Sequence, residues 1–95
     1  MAELDANVVA PARLKLLTML TAVSEAEFST VREHLGVADS VLSKHLAALE
    51  EIDYVKRRKG VQGGRRTTWV ALTPRGHEAL RAHVGALRAL IDGID

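Results

Sequence analysis

The sequence predicts a mainly α domain of the α+β class, with one basic two-stranded β-hairpin and a long C-terminal helix. Between Tyr54 and Arg75 the residues alternate, turn over at Gln62-Gly63-Gly64 and alternate again, which is typical of a hairpin. On both sides of this stretch, apolar residues recur at helical spacing: Leu42, Leu46, Leu49 and Ile52 before it, and Leu80, Val84, Leu87 and Ile91 after it. The chain has 95 residues, so we expect residues 1–95 to form a single domain.

The positive charge of the chain is concentrated in the hairpin. The net charge is only +1, yet the stretch from Tyr54 to Arg75 holds seven basic residues and no acidic one. The rest of the sequence therefore carries −6. Edge strands also use charge to prevent aggregation, but mixed charge would serve that purpose, whereas this segment has one sign. This polarity favours a phosphate backbone as the partner of the hairpin.

The composition excludes several classes of protein. There is no cysteine, which excludes disulfides, iron–sulfur clusters and thiolate metal sites. The residues from Met1 to Ala10 include acids rather than a basic segment, so we expect no signal peptide. No apolar run approaches the ~18 residues that a membrane span needs. We therefore expect a cytoplasmic protein that makes no membrane contact.

Two helices are expected before residue 37. The first covers 11–23, where good helix formers follow a proline that suits the first helical turn. The second covers 30–35 and is short. Thr30 and Glu33 have the spacing of a capping box at its start, and Gly36 can adopt the left-handed conformation that ends a helix.

A third helix runs from a cap at Asp39 or Ser40 to Ile52, and it follows the second after a turn of about four residues, which is a helix-turn-helix arrangement. Its leucine stripe faces inward. The residues on the other side are mostly short and polar, which would let the helix enter a major groove about 12 Å wide. The alternative is that they are ordinary residues facing solvent. They are Asp39, Ser40, Ser43, Lys44 and Ala47. Lys44 can reach a guanine edge or a phosphate. Val41 either touches a thymine methyl group or packs inside the protein.

The strands of the hairpin are expected at 54–61 and 66–73. Its candidate contacts to phosphates and to the minor groove are Lys56, Arg58, Lys59, Gln62, Arg65 and Arg66. Arg57 is set apart from these residues, because strand alternation places it on the opposite face from its neighbours. Trp69 lies in the middle of a strand rather than at the tip, which favours packing over base stacking.

Thr73 and Pro74 are expected to open a last helix that ends near Ile91. Gly85 lies in its middle and costs roughly 1 kcal/mol relative to alanine, so we expect another helix to approach it. Hydrophobic residues make up 47% of the chain, a large supply that favours a homodimer. The residues expected to form the dimer contact are Leu4, Val8, Val9, Leu80, Val84, Leu87 and Ile91. Some of them must instead belong to the core of the domain.

The histidines give no metal site. His77 and His83 are six residues apart on one helix and do not share a face, while His34 and His45 belong to different helices. The sequence also shows no nucleophile with a nearby base and no glycine-rich loop that opens a helix. We therefore expect no metal, no cofactor and no enzymatic activity.

The order of helix, short helix, turn, helix, basic hairpin and long helix is that of a winged helix-turn-helix. The run HLGVADSVLSKHLAALEEIDYV, with a basic hairpin ending in WVALTPRGHEAL, resembles the small winged-helix DNA-binding regulators of the MarR/ArsR type over roughly residues 4 to 91. This resemblance implies a prokaryotic transcriptional regulator that binds operator DNA as a homodimer. Two positions depart from the family pattern: Asp53 stands where relatives usually have glycine, and Ala38 where they prefer a serine or threonine cap.

The expected function is the binding of a pseudo-palindromic operator in double-stranded DNA, with the third helix in a major groove and the hairpin beside it. The alternative is a winged-helix module that binds an acidic protein partner through the basic hairpin. The sequence indicates no pocket for a small-molecule effector.

Overall fold

The computed structural model describes residues 5–94, which form five helices and one three-stranded antiparallel sheet. In chain order the elements are α1 (Ala6–Val9), α2 (Pro11–Leu20), β1 (Ala26–Glu27), α3 (Phe28–Leu35), α4 (Asp39–Glu51), β2 (Val55–Gln62), β3 (Arg65–Leu72) and α5 (Pro74–Asp92). The strand order is β1-β3-β2, so β3 is the central strand, β2 forms one edge, and the β2–β3 hairpin extends beyond the short β1. The predicted winged helix-turn-helix fold is confirmed.

Aliphatic side chains from the helices and the hairpin meet in one core. Helices α2 and α4 each contribute three leucines, and the smaller elements contribute valines. The aliphatic side chains that are at most 2% exposed are Val8, Leu16, Leu17, Leu20, Val31, Leu42, Leu46, Leu49, Val55 and Val70. Because the core takes the leucine stripe of α4, the opposite side of that helix remains at the surface.

Helix α3 begins two residues before the predicted capping box. It starts at Phe28, with Glu27 as an extended N-cap residue that makes no side-chain capping bond. Glu27 and the residue before it pair with β3, so the chain is extended up to that point and then turns directly into the helix. The prediction that Thr30 caps the helix is therefore wrong. The predicted end at Gly36 is confirmed, since its φ is +66°.

Helix α4 begins without the predicted side-chain cap. Ala38 is the N-cap residue, with φ −74° and ψ 157°. Its carbonyl oxygen accepts hydrogen bonds from the N–H groups of Val41 and Leu42, both at 3.1 Å. Asp39 and Ser40 are therefore already helical, and the prediction that one of them caps the helix is wrong. The side chain of alanine offers no acceptor, so this helix start lacks the side-chain bond that serine or threonine would supply.

The hairpin turns at Gly63 and Gly64, whose φ values are +57° and +78°. Two left-handed residues in a two-residue loop give a turn whose twist matches that of antiparallel strands, and glycine adopts this conformation without strain. The register runs from Val55 opposite Leu72 to Gln62 opposite Arg65. The tip of the hairpin is thereby fixed as a narrow, exposed turn.

One cluster of hydrogen bonds joins the end of α4, the hairpin and the start of α5. Asp53 adopts the left-handed conformation, with φ +61°. The Thr73 hydroxyl donates to the Asp53 carbonyl oxygen at 2.5 Å and accepts from the Gly76 N–H at 2.9 Å, which caps α5 as predicted. A Cβ atom on Gly76 would lie 2.1 Å from the carbonyl oxygen of Tyr54, so only glycine fits there. This cluster fixes the base of the hairpin against two helices.

Candidate nucleic-acid interface

The outer face of α4 carries the residues predicted to contact DNA. Asp39, Ser40, Lys44 and Ala47 are exposed, and Ser43 is half-buried. Apart from Lys44, these side chains are short, so the helix presents a slim surface on this side. A slim helix face of this kind can enter the major groove of a duplex.

Asp39 has a partner within the chain. Its Oδ1 atom lies 2.9 Å from Nε of Arg32 on α3, and both side chains are at the surface. An exposed ion pair of this kind contributes at most about 1 kcal/mol. A carboxylate in the first turn of a helix is also favoured by the helix dipole. Asp39 therefore links the two helices of the helix-turn-helix and helps to orient α4.

The hairpin has two faces because its side chains alternate. Arg57 and Lys59 point to the same side as the buried Val55, which is the side of α4. On that side, Nη2 of Arg57 lies 2.5 Å from Oε1 of Glu50, near the end of α4. This ion pair connects the hairpin directly to the helix that carries the candidate DNA contacts.

The other face of the hairpin holds Arg58, which binds Glu25 just before β1. Nε of Arg58 donates to Oε2 of Glu25 at 3.2 Å, and Nη2 donates to the other carboxylate oxygen. The hydrogen bond from Arg58 lowers the pKa of Glu25 below its ordinary value. The guanidinium also lies 5.6 Å from the centroid of the half-buried Trp69 ring, within range of a cation–π interaction. Arg58 thus holds the hairpin against the rest of the sheet.

The remaining cations of the hairpin are exposed. Lys56, Lys59, Arg65 and Arg66 make no ion pair with any residue between 5 and 94, and neither does Lys44 on α4. Gln62 is also exposed, opposite Arg65 beside the turn. The structure therefore separates the basic residues into two that position the hairpin and several that are available to an anionic partner.

Two histidines on helices make contacts with distant parts of the chain. Nδ1 of His45 on α4 accepts a hydrogen bond from Nε of Arg13 on α2 at 3.1 Å. Burial, and secondarily the charge of Arg13, lower the pKa of His45. His83 is 1% exposed, and its Nδ1 accepts from the backbone N–H of Asp5 at 3.3 Å. His34 and His77 are at the surface.

The structure divides the predicted dimer residues into three groups. Val8 and Leu80 are 0% and 6% exposed, so they belong to the core of the protomer. Val84 and Leu87 are half-buried, whereas Ile91 is 66% exposed. Leu4 lies outside the described residues, and so does the side chain of Val9. The apolar surface at the end of α5 also includes two residues that were not predicted, Leu90 and Ile94.

Sequence reasoning missed the acidic partners of the hairpin. Glu25 and Glu50 are separated from Arg58 and Arg57 by loops or turns, so no local pattern signals these pairs. The one available signal was the alternation that set Arg57 apart from its neighbours. Among the described residues, no group of three metal-ligating side chains comes together, and no helix is long and apolar enough to cross a membrane.

Residues 12–91 match the family described as the winged helix DNA-binding domain. An uncharacterised protein of Methanocaldococcus jannaschii is 31% identical over 83 residues, which is 87% of this chain and 90% of that protein. The structure of a transcriptional regulator homologue from Pyrococcus horikoshii OT3 superimposes with a TM-score of 0.86 at 31% identity, covering 94% of this chain and 88% of that one.

A second similar structure contains nucleic acid. It is the transcriptional repressor CouR bound to a 23-mer DNA duplex, with a TM-score of 0.69 and 25% identity over 78% of this chain and 52% of that one. These matches confirm the resemblance to small winged-helix regulators that the sequence indicated. The chain belongs to the winged helix DNA-binding domain family.

Proposed function

We propose that this protein is a prokaryotic transcriptional regulator that binds operator DNA as a homodimer in the cytoplasm and has no enzymatic activity. Helix α4 enters the major groove, and the hairpin contacts the backbone or minor groove beside it. The ion pair between Arg57 and Glu50 carries this proposal, because it holds the exposed cations of the hairpin next to the slim face of α4. The bound duplex in the CouR structure supports the same use of this fold.

The proposed DNA contacts are side chains at the surface that make no ion pair or side-chain hydrogen bond with the described residues. On α4 they are Ser40, Ser43, Lys44 and Ala47, and on the hairpin they are Lys56, Lys59, Gln62, Arg65 and Arg66. Asp39 and Arg58 are ion-paired within the chain, so we assign them the positioning of α4 and of the hairpin.

The end of α5 supports the homodimer. Leu90, Ile91 and Ile94 are 58%, 66% and 76% exposed, which is an unusual concentration of large apolar side chains on a small domain. Burial of this surface against the same surface of a second chain gives a two-fold arrangement. Two copies of α4 related in this way require a pseudo-palindromic operator, with half-sites about 34 Å apart.

Selection from a pool of random duplexes tests the proposal. The full chain is immobilised at low salt, bound duplexes are amplified, and their sequences are compared after several rounds. We expect enrichment of an inverted repeat whose halves are about one helical turn apart. A pool that stays random, or a site without two-fold symmetry, would contradict operator binding by a homodimer.

A module that binds an acidic protein is the second candidate. The observation that favours it is that Arg57 and Arg58 already bind carboxylates of their own chain. The two candidates differ in their affinity for random duplex DNA. A regulator should bind it at low salt and lose orders of magnitude in affinity between about 50 and 200 mM salt, whereas an acidic-protein module should bind it weakly throughout.

A further inference from the structure

Val41 is an exposed apolar residue on the first turn of α4. The other large apolar side chains within the helix, Leu42, Leu46 and Leu49, are all 0% exposed, whereas Val41 is 41% exposed. It also lies outside the group of partly buried residues that pack against the core. Single exposed apolar residues are common on protein surfaces, so the exposure of Val41 has meaning only through its position on the helix.

Val41 lies at the edge of the proposed DNA-binding face. It lies three residues before Lys44, so these two side chains are neighbours on the helix surface. Glu50, which binds the hairpin through Arg57, is nine residues further on. Nine residues are about two and a half helical turns, so Val41 and Glu50 lie on opposite sides of the helix axis. Val41 is therefore on the flank of α4 that faces away from the hairpin.

The chemistry of the major groove offers one apolar feature to such a side chain. Every base edge there presents hydrogen-bonding groups, and thymine alone adds a C5-methyl group. Valine has no donor or acceptor, and its β-branched side chain is stiff, so it loses little freedom on contact. The first turn of a recognition helix is also the part that reaches the base edges.

We propose that Val41 packs against the C5-methyl group of a thymine in each half-site, and that it is a determinant of sequence specificity. The proposal rests on the proposed function, since it requires α4 to lie in the major groove. The selected thymine lies on the side of the half-site away from the hairpin contact.

Deoxyuridine substitution tests this contact atom by atom, because uracil differs from thymine by the C5-methyl group alone. Each thymine of the selected operator is replaced in turn, and the dissociation constants of the parent protein and of Val41→Ala are measured. For the parent, we expect one position per half-site at which the loss of the methyl weakens binding about fourfold, the value of roughly one buried methyl or methylene group. For Val41→Ala, we expect thymine and uracil at that position to bind equally.

Val23→Ala is the matched control. Val23 is 47% exposed and lies in the connection between α2 and β1, away from α4. We expect Val23→Ala to keep the thymine-to-uracil ratio of the parent, and thermal melts of both variants establish that they are folded.

The outcomes separate this proposal from the proposed function. If an inverted repeat is selected but contains no thymine whose methyl matters, or if Val41→Ala keeps the parent's ratio, operator binding stands and the role of Val41 is refuted. If no sequence is selected and DNA affinity is negligible at low salt, both proposals are refuted.

Discussion

Arg57 of the hairpin and Glu50 of α4 form an ion pair at 2.5 Å, so the two parts of the proposed DNA interface are in direct contact. Each side chain is about one-third exposed, and such pairs contribute little to stability. Their expected effect is geometric, because the pair fixes where the exposed cations lie relative to the slim face of α4.

Loss of this pair should weaken operator binding without unfolding the protein. We expect Glu50→Gln to bind the operator up to about fivefold more weakly than Glu51→Gln, which corresponds to the upper range for a surface ion pair. Glu51 is exposed and makes no ion pair with the described residues. Its variant is the matched control, because it removes one negative charge from the same helix without breaking an ion pair. Titrations by fluorescence anisotropy give both constants. Equal affinities for the two variants would show that the pair does not position the hairpin.

Asp53→Gly should stabilise the fold. The φ of Asp53 is +61°, a conformation that glycine adopts freely and that other residues adopt at some expense. We expect an increase of some tenths to about 1 kcal/mol in the free energy of unfolding. Asp53→Ala removes the same carboxylate but keeps the Cβ, so it should show no such gain. Thermal melts in which Asp53→Gly is no more stable than the parent would refute the explanation.

Two glycines of α5 should respond in opposite ways to alanine. A Cβ on Gly76 would lie 2.1 Å from the Tyr54 carbonyl oxygen, so Gly76→Ala should lower the free energy of unfolding by about 1–3 kcal/mol. A Cβ on Gly85 meets no atom within 4 Å inside the described protomer. Gly85→Ala should therefore stabilise an isolated protomer by about 1 kcal/mol. Urea unfolding measures both changes, and a Gly76→Ala variant as stable as the parent would contradict the close approach.

Acid should weaken the contact between α2 and α4. The pKa of His45 is lowered by burial and by Arg13, so the unfolded chain binds its proton more readily than the folded one. Stability should therefore fall as the pH drops below the ordinary histidine value of about 6.5 and towards the lower folded pKa. We expect His45→Gln, which keeps an acceptor for Arg13, to flatten this part of the stability curve. The matched variant His34→Gln alters an exposed histidine and should retain the slope of the parent.

The dimer should depend on the end of α5. Leu87→Glu combined with Ile91→Glu places charges in a surface that is apolar and partly exposed, so we expect monomers by light scattering. Val61→Glu alters an equally apolar residue, 72% exposed on the hairpin, and should leave the mass unchanged. If the double variant still has the mass of a dimer, the interface lies elsewhere on the chain.

The fold was predictable where local chemistry decides it. The leucine periodicity of α4, the glycine turn of the hairpin and the Thr73 cap each act within a few residues, and all three appear in the structure. The left-handed conformation of Asp53 agrees with the resemblance, since similar regulators usually have glycine at this position. Such features need no knowledge of the tertiary structure.

The features of the fold and of the site that the sequence did not predict depend on contacts between distant segments. Two residues, Ala26 and Glu27, form a strand only because β3 is available to pair with them, and this pairing moves the start of α3 to Phe28. Helix α2 ends at Leu20 rather than at residue 23, although no breaking residue stands there. The acidic partners of Arg57 and Arg58 are likewise set by packing, which sequence periodicity does not encode.

The salt dependence of operator binding tests the central proposal most directly. The slope of the logarithm of affinity against the logarithm of salt concentration is about −0.9 for each phosphate neutralised. We expect Lys59→Gln, Arg65→Gln and Arg66→Gln together to make this slope less steep by about 5 in a dimer. The control removes the same number of positive charges from α2 and α5, through Lys15→Gln, Arg81→Gln and Arg88→Gln. This control should keep the slope of the parent. If the hairpin variant and this control both keep the parent's slope, the hairpin does not contact the DNA backbone.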